Sequence, residues 1–209
     1  KNAVIGYTTR NSGGVPENFK NYFVIVFDKP FQTSFDVRDG AVLKGKADQS
    51  HSNHSGAIVK FQTKRGEQIV ARVASSFISY DQAWQNLKEV ESKSFESVVE
   101  EGRQAWNDVL GRIEIEDSNI DNKRTFYSTL YRSTLFPRKF YEIDAQGKVV
   151  HYSPYNGQVL PGYMYTDTGF WDTFRSLFPL LNLIYPSVNR EIQEGLVNTY
   201  KESGFLPEW

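Results

Sequence analysis

The chain has 209 residues, 39% hydrophobic and 15% aromatic, enough apolar side chain to bury a core across one or two domains. Lys and Arg total 24 against 25 Asp and Glu, so no net field draws nucleic acid or an anionic membrane, and a neutral partner suits the surface better. The absence of cysteine excludes disulfides, thiolate metal sites and cysteine nucleophiles while leaving the compartment open, and no window has the roughly 18 consecutive apolar residues of a membrane span.

From residue 1 to about residue 79 the pattern is β. Asn21-Tyr22-Phe23-Val24-Ile25-Val26-Phe27, residues 56–62 and residues 68–74 are short β-branched or aromatic runs. Turn clusters such as Asn11-Ser12-Gly13-Gly14, Asp39-Gly40 and Lys64-Arg65-Gly66-Glu67 separate them, which predicts an antiparallel sandwich. The opening Lys1-Asn2-Ala3-Val4-Ile5 reads as mid-strand and the last residue, Trp209, falls in a loop after two helices. The chain is therefore expected to be a piece of a longer protein, with any export signal upstream.

The period changes near Ser79-Tyr80-Asp81. Asp81 is placed to cap a helix carrying Ala83, Trp84, Leu87 and Val90 on one face, and Phe95, Val98, Val99, Ala105, Trp106, Val109 and Leu110 mark a second. These predict a helical linker over residues 80–120. Ile113-Glu114-Ile115-Glu116 alternates as a short strand would, and residues 117–121 form a polar break.

Beyond residue 121 the chain reads as mainly helical. Phe126, Tyr127, Leu130, Tyr131 and Leu135 form one apolar stripe. Val188, Ile192, Leu196, Val197 and Tyr200 form another, between Pro186 and the helix stop Gly204. Residues 138–165 interrupt them, with turn signals at Asp144-Ala145-Gln146-Gly147 and Tyr155-Asn156-Gly157 that suggest a hairpin. Pro179, inside 171–185, predicts a kink or break.

The segment from Thr166 to Trp209 holds the residues best suited to chemistry. Phe170-Trp171-Asp172-Thr173-Phe174-Arg175 puts aromatic rings, a carboxylate and a guanidinium within about one helical turn, and Leu206-Pro207-Glu208-Trp209 sets a second Trp on a stiffened loop. Asp172, Trp171, Arg175 and Trp209 together can offer a sugar ring a stacking face and hydroxyl acceptors. Taken singly, Asp172 also reads as a helix-dipole residue or a partner of Arg175, and Trp209 as a core plug. Glu208 reads as a surface residue or a support.

Other candidates are weaker. His51-Ser52-Asn53-His54 lacks a third ligand and reads as a solvated turn, Asn53-His54-Ser55 matches the glycosylation triplet, and His151 receives no role. Lys123-Arg124 and Arg138-Lys139 are isolated basic pairs rather than a phosphate track. No Walker loop, dinucleotide fingerprint, nucleophile elbow or zincin motif is present.

In their order along the chain, several segments resemble glycoside hydrolase family 92, the calcium-dependent exo-acting α-mannosidases. They are Tyr22-Phe23-Val24, Phe27-Asp28-Lys29-Pro30-Phe31, Val73-Ala74-Ser75-Ser76-Phe77-Ile78-Ser79, Gln82-Ala83, Asn86-Leu87 and Trp106-Asn107 with Leu110. The series continues through Phe126-Tyr127, Leu130-Tyr131-Arg132, Pro137-Arg138, Tyr165-Thr166-Asp167, Phe170 to Arg175, Pro179-Leu180-Leu181 and Gly204 to Trp209.

The resemblance implies, over residues 1–79, the C-terminal part of an N-terminal antiparallel β-sandwich, then the helical linker, and over residues 121–209 the first helices of an (α/α)6 barrel that needs more chain to close. It implies that Asp172 and Trp209 help hold a terminal mannose, with Trp171 and Arg175 in support. It further implies an inverting enzyme, taken as α-1,2-acting, that removes mannose from mannose-rich glycans outside the bacterial cytoplasm. Its catalytic acid and base and its calcium ligands are expected beyond Trp209, so no catalytic residue is assigned here and this chain alone is expected to be inactive. Two alternatives stay open: another (α/α)6 glycosidase or a glycoside phosphorylase, and a non-catalytic carbohydrate-binding module.

Overall fold

The computed structural model describes residues 2–43 and 52–208, which fall into two compact units. Trp209 and His51 lie outside the described residues.

The first unit contains residues 1–8 and 21–87. Strands β1 (Ala3–Thr8), β2 (Asn21–Phe27) and β6 (Ala71–Ser76) pair antiparallel with β2 in the centre. A second antiparallel sheet orders β4 (Ala41–Leu43), β3 (Thr33–Arg38) and β5 (Ser55–Lys60). The run Asn21–Phe27 forms a strand because its β-branched and aromatic residues suit a pleated surface, and its Val24 is fully buried. Phe27, Phe31 and Phe61 meet edge to face, with Phe27 and Phe61 centroids 5.1 Å apart. Residues 68–70, expected within a strand, precede β6, and Val70 N–H instead donates to the Asp28 carboxylate at 3.0 Å.

Helix α1 (Tyr80–Glu91) packs Ala83 and Leu87 out of solvent, while Trp84 is left exposed. Its cap is Ser79, whose Oγ accepts the Gln82 N–H at 3.0 Å, and Asp81 sits two residues too late for that bond.

The second unit contains residues 9–20 and 88–209. Helix α2 (Phe95–Leu110) begins at Ser94, whose side chain accepts the Ser97 N–H. Helix α3 (Ile120–Ser133) begins at Asn119. Trp106 of α2 meets Tyr131 of α3 at 4.6 Å between rings. Residues 113–116 form no strand: two apolar positions offer too little face for pairing, and the Ile113 carbonyl accepts the Tyr127 hydroxyl instead.

The interruption before the last helices is larger than one hairpin. A two-residue ribbon joins β7 (Arg138–Lys139) to β11 (Tyr165–Thr166), and β8 (Glu142–Ile143), β9 (Val149–Tyr152) and β10 (Val159–Pro161) make a three-stranded antiparallel sheet with β9 central. Asn18, from the short N-terminal segment of this unit, fastens to that sheet by donating to the Gly157 carbonyl at 2.9 Å and accepting from the Tyr152 hydroxyl at 3.0 Å.

A four-residue helix, α4 (Phe170–Thr173), precedes α5 (Leu177–Ile184) and α6 (Pro186–Ser203). The break lies at residues 174–176 rather than at Pro179, which occupies the first turn of α5, where its missing N–H has no helical acceptor to lose. Leu181, Tyr185 and Ile192 form a buried cluster where α5 meets α6, and the Tyr185 hydroxyl reaches back to the Val109 carbonyl at 2.9 Å. Pro186 starts α6, and Gly204, at φ 85°, ends it in the left-handed conformation open to a residue without Cβ.

Candidate functional site

The sugar-binding candidates sit on α4 and on the loop after α6. No side chain caps α4, since Gly169 occupies its N-cap. The turn is closed instead by Thr173, whose N–H and hydroxyl both donate to the Gly169 carbonyl, at 3.1 and 2.7 Å. Phe170 stacks on Phe178 with centroids 5.7 Å apart, which fixes the turn against α5.

With Phe170 turned to that stack, the next two residues face outward. Trp171 is 67% exposed and Asp172 is exposed. Among the described residues the Asp172 carboxylate makes no ion pair, so the alternative reading of it as a partner of Arg175 does not hold. Arg175 instead lays its guanidinium over two rings, 4.9 Å from the Phe174 centroid and 5.5 Å from that of Trp171. The aromatic faces hold the Arg175 side chain and leave the neighbouring carboxylate available for other donors.

The loop after α6 returns to this turn. Phe170 N–H donates to the Glu208 carbonyl at 3.3 Å, so the residue before Trp209 lies against the start of α4. The two motifs are thus brought together by backbone, although Phe170 and Glu208 are 38 positions apart in sequence (208 less 170). Trp209 itself lies outside the described residues. Glu208 is exposed.

Just upstream, Asp167 adopts φ 62°, a left-handed conformation that Asp tolerates better than most residues. The Arg138 guanidinium and the Thr166 hydroxyl both donate to its carboxylate. The Arg138 bond holds the Asp167 carboxyl below its ordinary value, and the Asp167 bond raises Arg138 in turn.

The segment 162–166 runs antiparallel to α6, held by polar side chains at successive levels. Glu191 accepts the hydroxyls of Tyr165 at 2.8 Å and Tyr141 at 3.1 Å. Burial first, then the Glu191 hydrogen bond, pushes the Tyr165 phenol far above its ordinary value, so it serves as a fixed donor. Higher on the helix, Asn198 donates to the Tyr163 carbonyl at 2.9 Å. At the last turn, fully buried His151 joins the Gly162 carbonyl at 2.8 Å to Glu202 at 2.9 Å. Sequence reasoning missed the α6 residues' partners because they lie 26 to 51 positions away with no motif connecting them.

Among the described residues no group of three or more His, Asp or Glu gathers as a metal site, and no helix is long and apolar enough to cross a membrane.

Comparison with known proteins agrees with this layout. Residues 82–209 match the model of the glycosyl hydrolase family 92 catalytic domain, and residues 1–76 that of the family's N-terminal domain. The structure is similar over its whole length to a family GH92 inverting mannosidase from Bacteroides thetaiotaomicron VPI-5482, with 46% identity and a TM-score of 0.95. A family GH92 α-mannosidase from Bacteroides thetaiotaomicron gives 26% identity and a TM-score of 0.79, also over the whole length. A protein described as an uncharacterized secreted glycosidase from Arthroderma benhamiae is 33% identical over 93 residues, covering 41% of this chain and 12% of the relative. The chain covers 28% of each solved relative's length.

Proposed function

We propose, since this chain belongs to glycosyl hydrolase family 92, that it is part of an inverting, exo-acting α-mannosidase that removes terminal mannose from mannose-rich glycans. The match of residues 82–209 to a catalytic-domain model favours an enzyme over a carbohydrate-binding module. The near-neutral charge suits a neutral glycan.

Within that enzyme the α4 corner holds the terminal mannose. The Asp172 carboxylate accepts two sugar hydroxyls, each charge-assisted bond contributing roughly 1.5 to 3 kcal/mol. Trp171 and Trp209 supply apolar faces to the ring, and Arg175, seated on its two aromatic partners, donates to a hydroxyl. The observation that carries this reading is the Phe170–Glu208 hydrogen bond, because it joins the residue before Trp209 to the turn that presents Asp172, which makes no ion pair among the described residues.

Inversion calls for an acid and a base roughly 6.5 to 9.5 Å apart with water between them. We assign that pair, and the ligands of a calcium ion that would help orient the sugar hydroxyls, to residues outside those described. The helices of the second unit we read as the start of an (α/α)6 barrel. The likeness to a secreted glycosidase supports export to the periplasm or cell surface.

The test is proton NMR of the full-length enzyme acting on an α-1,2-mannobiose. Release of β-mannose first supports the reading. Release of α-mannose first, or a mannose 1-phosphate product that requires added phosphate, contradicts it.

A further inference from the structure

Two buried side chains outside the sugar corner end next to the loop that serves it. His151 lies in the central strand β9 with no side-chain exposure, and Glu202 lies in the last turn of α6 with 8%. The Gly162 carbonyl can only accept, so His151 Nδ1–H donates to it at 2.8 Å. That leaves Nε2 facing Glu202 Oε1 at 2.9 Å, and one proton shared between these two atoms completes the bond. Glu202 Oε2 is buried with no partner among the described residues, so the His151 contact alone fixes this carboxyl.

An apolar pair of the same volume would serve stability as well or better. A directional bond adds a fixed seat for the end of α6. Directly after Glu202, the Ser203 hydroxyl has the Thr199 and Phe205 carbonyls within reach of its single O–H, at 2.7 and 2.9 Å, and Gly204 turns the chain. The loop then runs to Glu208, whose carbonyl meets Phe170 N–H. Its two ends are thus anchored, one at the β9 sheet and one at the helix that carries Asp172.

We propose that His151 and Glu202 are positioning residues for the sugar corner: their buried hydrogen bond sets where the 204–208 loop leaves α6 and so where it meets Phe170, at the start of the turn that carries Asp172. This rests on the α-mannosidase reading above. A displacement of about 1 Å in such a support is enough to weaken a site well away from the altered residue.

The test uses the full-length enzyme, an α-mannoside substrate and mannoimidazole as the binding probe. Glu202→Ala is expected to raise KM and the mannoimidazole Kd at least about fivefold with kcat within about threefold of wild type. Glu202→Gln keeps the reach and donates its amide to neutral Nε2, so it should restore KM to within about twofold. A merely structural role lowers Tm and the active fraction, hence kcat, and leaves KM unchanged. Wild-type KM in folded Glu202→Ala, or a Gln variant no better than Ala, overturns the proposal. If Glu202→Ala does not fold, Glu202→Asp replaces it: the shortened reach must raise KM, and an unchanged KM overturns the proposal. If wild type cleaves α-mannosides and Asp172→Ala cripples it while Glu202→Ala does not raise KM, only this proposal falls. If wild type releases no mannose, both fall.

Discussion

The N–H of Phe170 donates to the carbonyl of Glu208, and this bond makes one corner of two motifs that the sequence keeps far apart. The side-chain consequence follows from helical geometry. Phe170 stacks inward on Phe178, so Trp171 and Asp172, one and two positions on, face solvent beside the returning loop.

The α5–α6 cluster is the core beneath this corner, and Ile192 is 1% exposed within it. Ile192→Ala in the full-length enzyme is expected to cost about 2 to 5 kcal/mol, and Ile192→Val about 0.5 to 1.5. Urea unfolding monitored by circular dichroism checks this. Equal midpoints for the two variants would contradict the packing described.

Gly162 has φ 101°, and a Cβ there would stand 2.8 Å from Asn198 Nδ2. Gly162→Ala therefore meets both backbone strain and a displaced Asn198, whose bond to the Tyr163 carbonyl ties this segment to α6. A loss of about 1 to 3 kcal/mol is expected, read as a lower thermal midpoint. Gly162→Ala with wild-type stability would show that the segment has slack.

The Arg138–Asp167 pair predicts a pH dependence with a definite sign. Arg138 depresses the folded-state value of Asp167, so the stabilisation is present above the unfolded carboxyl value of about 3.9 and is lost as pH falls through the lower folded value. Asp167→Asn keeps a residue that accepts positive φ and removes only the charge. With the pair's side chains 66% and 39% exposed, solvent screening limits the loss at pH 7 to less than about 1 kcal/mol. The wild-type and variant stability curves should converge as pH falls below the lowered folded-state value of Asp167. A difference that widens toward acid would contradict the sign.

Where local chemistry and tertiary need agree, the sequence is readable. Asn21–Phe27 forms a strand because nearly every residue favours one, and Pro186–Ser203 forms a helix because proline begins it and Gly204 ends it. Asp81 misled because Ser79, two residues earlier, offers an equally good cap. Ile113-Glu114-Ile115-Glu116 misled because alternation over four residues does not supply a partner strand. At the site, the Trp171-Asp172 motif was legible, whereas the unpaired state of Asp172 was not: it depends on the Phe174 and Trp171 rings capturing Arg175. His151 and Glu202 were illegible for a simpler reason, since nothing local marks a bond across 51 positions.

The most direct test of the sugar-holding corner is the kinetics of Asp172→Ala in the full-length enzyme on an α-1,2-mannobiose, with mannoimidazole affinity measured alongside. Loss of two charge-assisted bonds predicts a fall in kcat/KM of about 10²- to 10⁴-fold with weaker mannoimidazole binding and unchanged thermal stability. Turnover and affinity equal to wild type would contradict the account.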